Sequence, residues 1–447
     1  MKTPIYDFLA KYAGNKAVRL HMPGHKGAFS QNVNDSSLFA AYKFDITEIF
    51  GADSLYEADG IIRESERISS ELFGADTFYS TEGSSLSIRA MLALVAMYAG
   101  ERGERPRILA ARNVHKSFVT AAALLDIETE WLYSEEQSYL SCRIDAKRLD
   151  AALSSSRECP TAVYLTSPDY LGIVQDIGAI SEVCHRHGVL LLVDNAHGAY
   201  LKFLNPSRHP IDLGADMCAD SAHKTLSVLT GGAYLHLSRR LPPFFKQNAK
   251  SCMAMFGSTS PSYLILASLD LFPSNIPDYL SFAERVAECK REIEAAGYTV
   301  VGDEPIKITL KTKEYGYLGT EISELLCERG IICEFSDPDF LVLMASPMNT
   351  GADLDSLVTA LKSIPRREPI STSPPLLTEP IRVLSPRAAA LAPSVALDVK
   401  DAVGRALAAI TVGCPPAVPI LVSGELVTEE ARAVFEYYNI KKISVVK

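Results

Sequence analysis

The amino-acid sequence predicts an α/β fold in which a mostly parallel sheet is covered by helices. Short, continuously apolar segments, such as 162–166 and 189–194, are typical of strands that are buried on both faces. Segments with apolar residues at helical spacing, including 61–73, 84–99 and 177–187, alternate with these strands. This alternation favours a parallel sheet, because parallel strands need long crossover connections and helices supply them.

The rest of the chain is expected to form a smaller α/β unit and a C-terminal unit. The predicted elements are a long helical stretch at 261–296, strands at 306–311, 330–334 and 340–344, a proline-rich linker at 364–394, and helices at 318–329, 396–410 and 427–437. The predicted parts are an N-terminal segment (1–50), a large domain (51–275), a small α/β domain (276–365), and a linker with a C-terminal domain (366–447).

The composition indicates a soluble protein and argues against nucleic acid or membrane as a partner. Of the 447 residues, 47% are hydrophobic and 22% are charged, as in ordinary globular domains. A formal net charge of −10 without a Lys/Arg-rich run does not suit nucleic acid. Because the chain has no apolar run of about eighteen residues, we expect no membrane span, and its charged start is not typical of a signal peptide.

The cysteines point to the cytoplasm. There are nine of them, an odd number with no Cys-x-x-Cys pair, which indicates reduced thiols instead of disulfides or a zinc site. Cys184-His185-Arg186-His187 has the composition of a metal cluster, which is the alternative interpretation. Its neighbours predict the end of a helix that leads into the strand at 189–194, so we expect no metal ion.

A lysine between polar neighbours suggests a pyridoxal phosphate (PLP) site. Lys224 lies in Ser221-Ala222-His223-Lys224-Thr225, and Asp194 ends the apolar strand before it. The lysine amine would form a Schiff base with the cofactor aldehyde. The Asp194 carboxylate would pair with the pyridine nitrogen and keep it protonated. A surface lysine and a strand-end aspartate are the alternative for either residue alone.

Other candidate segments lie at predicted strand ends or at a helix start. Gly83, Ser84 and Ser85 begin the apolar helix at 84–99, where backbone N–H groups and the helix dipole favour a phosphate; an ordinary serine cap is the alternative. His115 follows a strand and has a planar ring that could stack on the cofactor. The segments 112–117, 166–172 and 194–200 each begin where a predicted strand ends, which is where ligands collect in open α/β sheets.

Taken together, these segments resemble the Orn/Lys/Arg decarboxylases of the aminotransferase-like PLP fold (fold type I), in their short form. The matching segments are HMPGHKG (21–27), FDITE (44–48), RNVHKS (112–117), TSPDYLG (166–172), DNAHGAY (194–200), SAHKTL (221–226), STSPSYLILASLD (258–270) and CPPAVPILVSGE (414–425). They occur in the order of the family and span nearly the whole chain.

The resemblance implies a role for each site residue. Lys224 would carry PLP, Asp194 would bind its ring nitrogen, and His197 would lie close to the Schiff base. Ala196 would pack against the ring and His115 would stack on its opposite face. The phosphate would be held by Gly83, Ser84, Ser85, Ser221 and His223. Ser258 and Thr259 would approach it from a partner subunit, which implies a homodimer with shared active sites.

The implied activity is decarboxylation of a basic amino acid (arginine, lysine or ornithine) to a polyamine-pathway amine. The chain departs from the family pattern at Glu82, Asp169, Asn195, Tyr200, Gly231 and Ala417, which leaves the substrate open. We expect Glu82 to point away from the phosphate, and Asp169 is a candidate for the cationic end of a substrate. The alternatives are a PLP enzyme of other chemistry, such as an aminotransferase or lyase, and a non-catalytic PLP-binding paralogue.

Overall fold

Helices and strands alternate along most of the chain in the structure, a computed structural model that describes residues 1–15, 17–28, 38–134, 139–414 and 418–447. The helices are α1 (Pro4–Gly14), α2 (Ile61–Phe73), α3 (Gly83–Glu101), α4 (Lys116–Leu125), α5 (Ala146–Ser155), α6 (Ile177–Arg186), α7 (Ala222–Thr225), α8 (Pro243–Ala254), α9 (Tyr263–Leu271), α10 (Tyr279–Ala295), α11 (Gly319–Cys327), α12 (Gly351–Lys362), α13 (Pro386–Ala390) and α14 (Glu429–Tyr437). The strands are β1 (Asp76–Ser80), β2 (Arg107–Ala111), β3 (Glu128–Leu132), β4 (Ala162–Thr166), β5 (Leu190–Asp194), β6 (Met217–Asp220), β7 (Ala233–Leu237), β8 (Thr299–Val301), β9 (Lys307–Lys311), β10 (Phe335–Ser336), β11 (Phe340–Met344), β12 (Ser394–Asp398), β13 (Thr411–Cys414), β14 (Val418–Val422) and β15 (Lys442–Val446).

The chain divides into two compact units, and the first is discontinuous in sequence. It consists of Met1–Arg102 and Leu190–Pro277. Its strands follow the order β1-β7-β6-β5, in which β5 and β6 are parallel and the other pairs are antiparallel. Leu192 of β5 lies opposite Met217 of β6, and this register brings the carboxyl ends of the two strands together.

Helix α3 forms much of the core of this unit. It is apolar nearly all round and packs against β6, β7 and α8. Among the described helices, α3 is long and apolar enough to cross a membrane. However, 56% of its apolar 18-residue stretch is buried inside the protein. A core helix that is covered on several faces has this composition.

The second unit consists of Gly103–Val189 and Asp278–Lys447. Its parallel strands follow the order β4-β2-β3, and a separate antiparallel sheet has the order β10-β11-β9-β8. Two smaller pairs, β12 with β15 and β13 with β14, lie in its C-terminal part. An apolar core that includes Leu407, Leu421 and Phe435 holds that part together.

The prediction of an α/β fold with parallel strands between helices is confirmed. The strands at 162–166 and 189–194 and the helices at 61–73, 84–99 and 177–187 all occur within a residue or two of their expected bounds. The division into four predicted domains stays a prediction.

Three local predictions were wrong. The helical stretch at 261–296 is interrupted between α9 and α10, where Pro273 and Pro277 cannot donate a backbone hydrogen bond. The expected helix at 396–410 begins instead with strand β12, whose residues pair with β15. The strand expected at 330–334 lies slightly later in the chain, as the short β10.

Helix α1 is attached to its unit by a buried carboxylate. Asp270 Oδ2 accepts the backbone N–H groups of Ile5 (3.0 Å) and Tyr6 (2.9 Å), which begin the helix. Its Oδ1 accepts the hydroxyl of Ser65 at 2.5 Å. Burial raises the pKa of Asp270 to about 6, although these hydrogen bonds oppose the shift.

This raised pKa gives a pH-dependent contribution to stability. Since the folded state holds the Asp270 proton more tightly, the contribution is complete below about pH 4 and is lost as the pH rises through about 6. Asp270→Asn mimics the protonated side chain. Between pH 4 and pH 8, we expect the free energy of unfolding of the parent to fall by up to about 3 kcal/mol relative to this variant. The difference in Tm between the two proteins at each pH checks this.

The matched control is Asp278→Asn at the start of α10. Its carboxylate accepts the hydroxyl of Ser281 at 2.7 Å and the N–H of Ser281 at 3.0 Å, and these contacts lower its pKa. The sign is therefore opposite, because the stability from Asp278 is present above the ordinary carboxyl pKa and is lost as the pH falls. A pH-independent Tm difference between the parent and Asp270→Asn would contradict the prediction.

Candidate active site

The side chains of Lys224 and His197 meet in the first unit. Lys224 lies on the short helix α7, directly after β6, and His197 lies three residues beyond the end of β5. Lys224 Nζ is 2.9 Å from His197 Nε2, and His197 is 5% exposed. The pair can hold one proton between an amine and an imidazole, which suits acid–base chemistry.

Asp194 is a buried carboxylate on the same loop as His197. It is the last residue of β5 and is 2% exposed. Its Oδ1 accepts the backbone N–H of Ala196 at 3.1 Å, and this contact sets the direction in which the chain leaves the strand. A buried carboxylate at a strand end suits a cationic partner such as a protonated pyridine nitrogen.

Hydroxyl groups connect the start of α3 to the lysine loop. Ser221 Oγ donates to Ser84 Oγ at 2.7 Å, and both residues are buried. Gly83, the first residue of α3, has a φ of +70°, and its N–H donates to the carbonyl of Gly231 at 2.7 Å. Ser85 follows in the first turn and is half-buried. Small residues at a helix start leave room for an anion.

His223 also faces the start of α3. Its Cε1 lies 4.0 Å from the position that a Cβ would take at Gly83. Its Nδ1 donates to the carbonyl of Gly232 at 3.1 Å. Burial lowers the pKa of His223, with a smaller contribution from the charge of Lys224, so the ring is neutral at pH 7.

Glu82 holds the loop that carries Ser258 and Thr259. Its Oε1 accepts the backbone N–H of Ser258 at 2.6 Å. Ser258 and Thr259 are exposed at the surface of the single chain. The Glu82 carboxylate is thus engaged by this loop, and the expectation that it points away from the phosphate stays a prediction.

Hydrogen bonds and chain connectivity join these groups into one site. Ser84 contacts Ser221, the Lys224 N–H donates to the Ser221 carbonyl, and Lys224 Nζ contacts His197. Asp194 lies three residues before His197 on the same loop. An amine, a buried carboxylate and a helix start with two hydroxyls are the donors that PLP needs at its aldehyde, ring nitrogen and phosphate. The residues present therefore fit this cofactor.

The remaining predicted site residue, His115, belongs to the second unit. It precedes α4, and its Nδ1 accepts from Ser117, both from the backbone N–H (3.2 Å) and from the hydroxyl (2.8 Å). These two contacts fix the orientation of the ring. Its stacking on a cofactor stays a prediction.

The structure also brings together pairs of motifs whose contacts were not expected from the sequence. Arg112 of the RNVHKS segment pairs with Glu425 at 2.8 Å, and both are largely buried. In the first unit His25 of HMPGHKG contacts Asp45 of FDITE at 3.1 Å. The sequence shows that these motifs contain basic and acidic residues, which could have indicated such contacts. It does not say which basic residue contacts which acidic one.

Several departures from the family pattern have a local explanation. Gly231 has a φ of +99°, and a Cβ there would lie 2.7 Å from the carbonyl oxygen of Thr81. Asp169 is fully buried, and its Oδ1 accepts the N–H groups of Leu171 and Ile173. Burial raises the pKa of Asp169 to about 6. These contacts give Asp169 a role within its own turn.

Three other departures are buried or lie outside the described residues. Tyr200 is fully buried in the first unit, two residues into a short 3₁₀ helix. Ala417 lies outside the residues that the structure describes. Asn195 is fully buried, and its amide donates to the Asp220 carboxylate at 2.7 Å.

This fold, with a lysine and an aspartate at the ends of adjacent parallel strands, defines a PLP enzyme of fold type I. Residues 3–279 match the family described as "Orn/Lys/Arg decarboxylase, major domain". The chain belongs to that family and is a PLP-dependent amino-acid decarboxylase. The predicted fold class and family are thus confirmed.

Relatives and solved structures agree with this assignment. The chain is 30% identical to an arginine decarboxylase of Bacillus subtilis over 96% of its own length and 92% of the relative's. It is 29% identical to an arginine decarboxylase of Halalkalibacterium halodurans, over 98% of its own length and 94% of the relative's. A lysine decarboxylase of Francisella novicida has a TM-score of 0.79 at 17% identity, covering 100% of this chain and 81% of that one. The constitutive lysine decarboxylase of E. coli has a TM-score of 0.77 at 18% identity, and the match covers 100% of this chain and 82% of that one.

Because a Cβ at Gly231 would lie so close to the Thr81 carbonyl, we expect alanine at this position to lower the stability of the fold unusually strongly. Gly231→Ala would force both a strained backbone and a clash with Thr81, at a cost of about 2–5 kcal/mol. Gly74→Ala is the control, because Gly74 has a φ of +71° and only Lys202 Nζ near its missing Cβ, at 3.9 Å. Its expected cost is about 1–2 kcal/mol. Equal Tm values for the two variants would contradict this prediction.

Proposed function

We propose that this enzyme binds PLP on Lys224 and decarboxylates a basic amino acid (arginine, lysine or ornithine) to the corresponding amine. The observation that carries the proposal is the 2.9 Å contact between Lys224 Nζ and His197 Nε2, beside the buried Asp194, in a member of this family. We also propose a cytoplasmic location and a product of the polyamine class.

The residues that would hold the cofactor come from four places. Asp194 would keep a proton on the pyridine nitrogen, Ala196 would contact the ring, and His115 would stack on it. The groups that would bind the phosphate are at the start of α3 and on the lysine loop: Gly83, Ser84, Ser85, Ser221 and His223. The hydrogen bond between Ser84 and Ser221 supports a shared phosphate site.

The chain contributes orientation and proton transfer to the reaction. When bound, PLP supplies an electron sink for the bond that breaks between the substrate Cα and its carboxylate. The site would hold that bond perpendicular to the ring. Lys224 Nζ and His197 Nε2 are close enough to exchange a proton, so either can deliver it to the substrate Cα after carbon dioxide leaves.

Among the three basic amino acids, arginine is the first substrate to test. Relatives that cover nearly the whole chain at 29–30% identity are named arginine decarboxylases. The solved lysine decarboxylases share only 17–18% of their residues with this chain, a level that informs on fold alone.

A homodimer with shared active sites is part of the proposal. Ser258 and Thr259 are exposed on the single chain, and Glu82 holds the backbone of Ser258 beside the start of α3. This position suits a loop that reaches the phosphate of a partner subunit. A monomeric mass by light scattering in an active preparation would contradict the shared site.

Covalent trapping tests the cofactor site. Purified protein with PLP should be yellow, and borohydride should fix the cofactor on the peptide that contains Lys224, as read by mass spectrometry. Lys224→Arg keeps the charge but should abolish both the trapping and the carbon dioxide release. Lys246→Arg is the control, because the side chain of Lys246 is 64% exposed and forms an ion pair with Asp76 at 2.6 Å.

A screen of carbon dioxide release over all the amino acids tests the substrate. We expect release from a basic amino acid, with arginine first. Trapped PLP without carbon dioxide release from any amino acid would favour another PLP chemistry or a non-catalytic protein. A colourless protein that cannot be reconstituted with PLP would overturn the whole proposal.

The contact with Lys224 predicts a specific loss in His197 variants. His197→Gln should lower kcat for decarboxylation by about 10²–10⁴-fold, since a group for proton transfer is removed. Borohydride should still trap PLP on Lys224 in this variant. His185→Gln, at an exposed position on α6, should leave kcat unchanged. An unaltered kcat in His197→Gln would show that His197 does not take part in the proton transfer.

A further inference from the structure

A fully buried carboxylate with four donors lies behind the candidate active site. Asp220 ends β6, directly before Ser221, and its side chain is 0% exposed. Its Oδ1 accepts the amide of Asn195 at 2.7 Å and the thiol of Cys218 at 3.3 Å. Its Oδ2 lies 3.0 Å from His209 Nε2 and 3.2 Å from His236 Nε2.

The hydrogen-bond partners of the two rings identify both imidazoles as donors. His209 Nδ1 accepts the N–H of Ile211 at 3.4 Å, and His236 Nδ1 lies 2.9 Å from the hydroxyl of Thr77. His209 Nδ1 is thus an acceptor, and its ring carries the proton on Nε2. Both Nε2 atoms face the Asp220 carboxylate, which can only accept, so both donate to it. Among the described residues, His209, Cys218 and Asp220 have ligand atoms within 4.8 Å of one another, but this hydrogen bonding accounts for them without a metal ion.

The charge in this cluster therefore belongs to Asp220. Burial alone would raise its pKa, but the two histidines outweigh burial and hold the pKa of Asp220 well below its ordinary value. Burial lowers the pKa of His236, which keeps that ring neutral. The result is one buried anion whose acceptor oxygens are both used.

An amide at position 195 suits this buried anion, because it offers a donor to the Asp220 carboxylate. A carboxylate at 195 would face the Asp220 carboxylate across a contact that is now 2.7 Å. Two carboxylates that share a buried site cannot both ionise at low cost. Asn195 and Asp220 thus form a matched donor and acceptor between the ends of β5 and β6.

We propose that Asp220 is a positioning residue, which holds Asn195 and through it the loop from Asp194 to His197. Asn195 lies between Asp194 and Ala196, and its side-chain amide donates a hydrogen bond to Asp220. Asp220 also precedes the lysine loop, so the same anion orders both halves of the cofactor site. The inference rests on the proposed function for its link to PLP, but not for the order of the loop.

Exchanging the two side chains tests the pairing. In Asp220→Asn the two imidazole donors take the single acceptor oxygen, and the new amide then faces the amide of Asn195. In Asn195→Asp two carboxylates face each other. The double variant Asn195→Asp/Asp220→Asn restores one donor opposite one acceptor with almost no change of shape. Ser69→Ala is the control, because it removes a buried hydrogen bond to Tyr79 elsewhere in the unit.

Two readouts separate positioning from general stability. We expect each single variant to weaken PLP binding at least about tenfold and to shift the visible band of the bound cofactor, and the double variant to recover most of both. Deuterium uptake by the peptide covering 194–201 should rise in the single variants and fall again in the double variant, with or without PLP. Ser69→Ala should lower Tm without either effect.

The outcomes are distinguishable from failure of the proposed function. A double variant no better than the single ones, or a loss in Ser69→Ala as large as theirs, would overturn the positioning role. If the parent protein takes up no PLP, the proposed function fails, and deuterium uptake by the loop still decides whether Asp220 holds it through Asn195.

Discussion

The parallel pairing of β5 with β6 is the constraint on which the candidate active site depends. Asp194 lies opposite Ala219, so the chain leaves both strands at the same edge of the sheet. One exit carries the loop with Ala196 and His197, and the other carries Ser221 and Lys224. A shift of this pairing by one residue would turn the side chains of one strand to the opposite face and would separate Asp194 from the lysine loop.

The departures from the family pattern are easier to understand as pairs than one by one. Gly231 is required by the carbonyl of Thr81, Asn195 by the carboxylate of Asp220, and Glu82 is used by the N–H of Ser258. Each of these three residues contacts a group that is fixed by another element. Substitutions of this kind adjust the support of the site and leave its lysine and aspartate in place.

The sequence was sufficient for the features that depend on local pattern. Buried strands and the apolar helix α3 were predicted because burial on both faces leaves a continuous apolar run. Strand β12 was missed because its partner, β15, is distant in sequence and neither of its faces is fully buried. The Asp220 cluster was missed for a related reason: its members lie on separate segments, and only the register between strands brings them together.

The discontinuity of the first unit has a consequence for biosynthesis. Helix α3 packs against β6, β7 and α8, which leave the ribosome only after residues 103–189 have been made. At about 5–20 residues per second, that delay is roughly 4 to 17 s. During this interval a helix with the length and apolarity of a membrane span lacks its final covering. Until β6, β7 and α8 have been made, the apolar surface of α3 that they cover has no native partner.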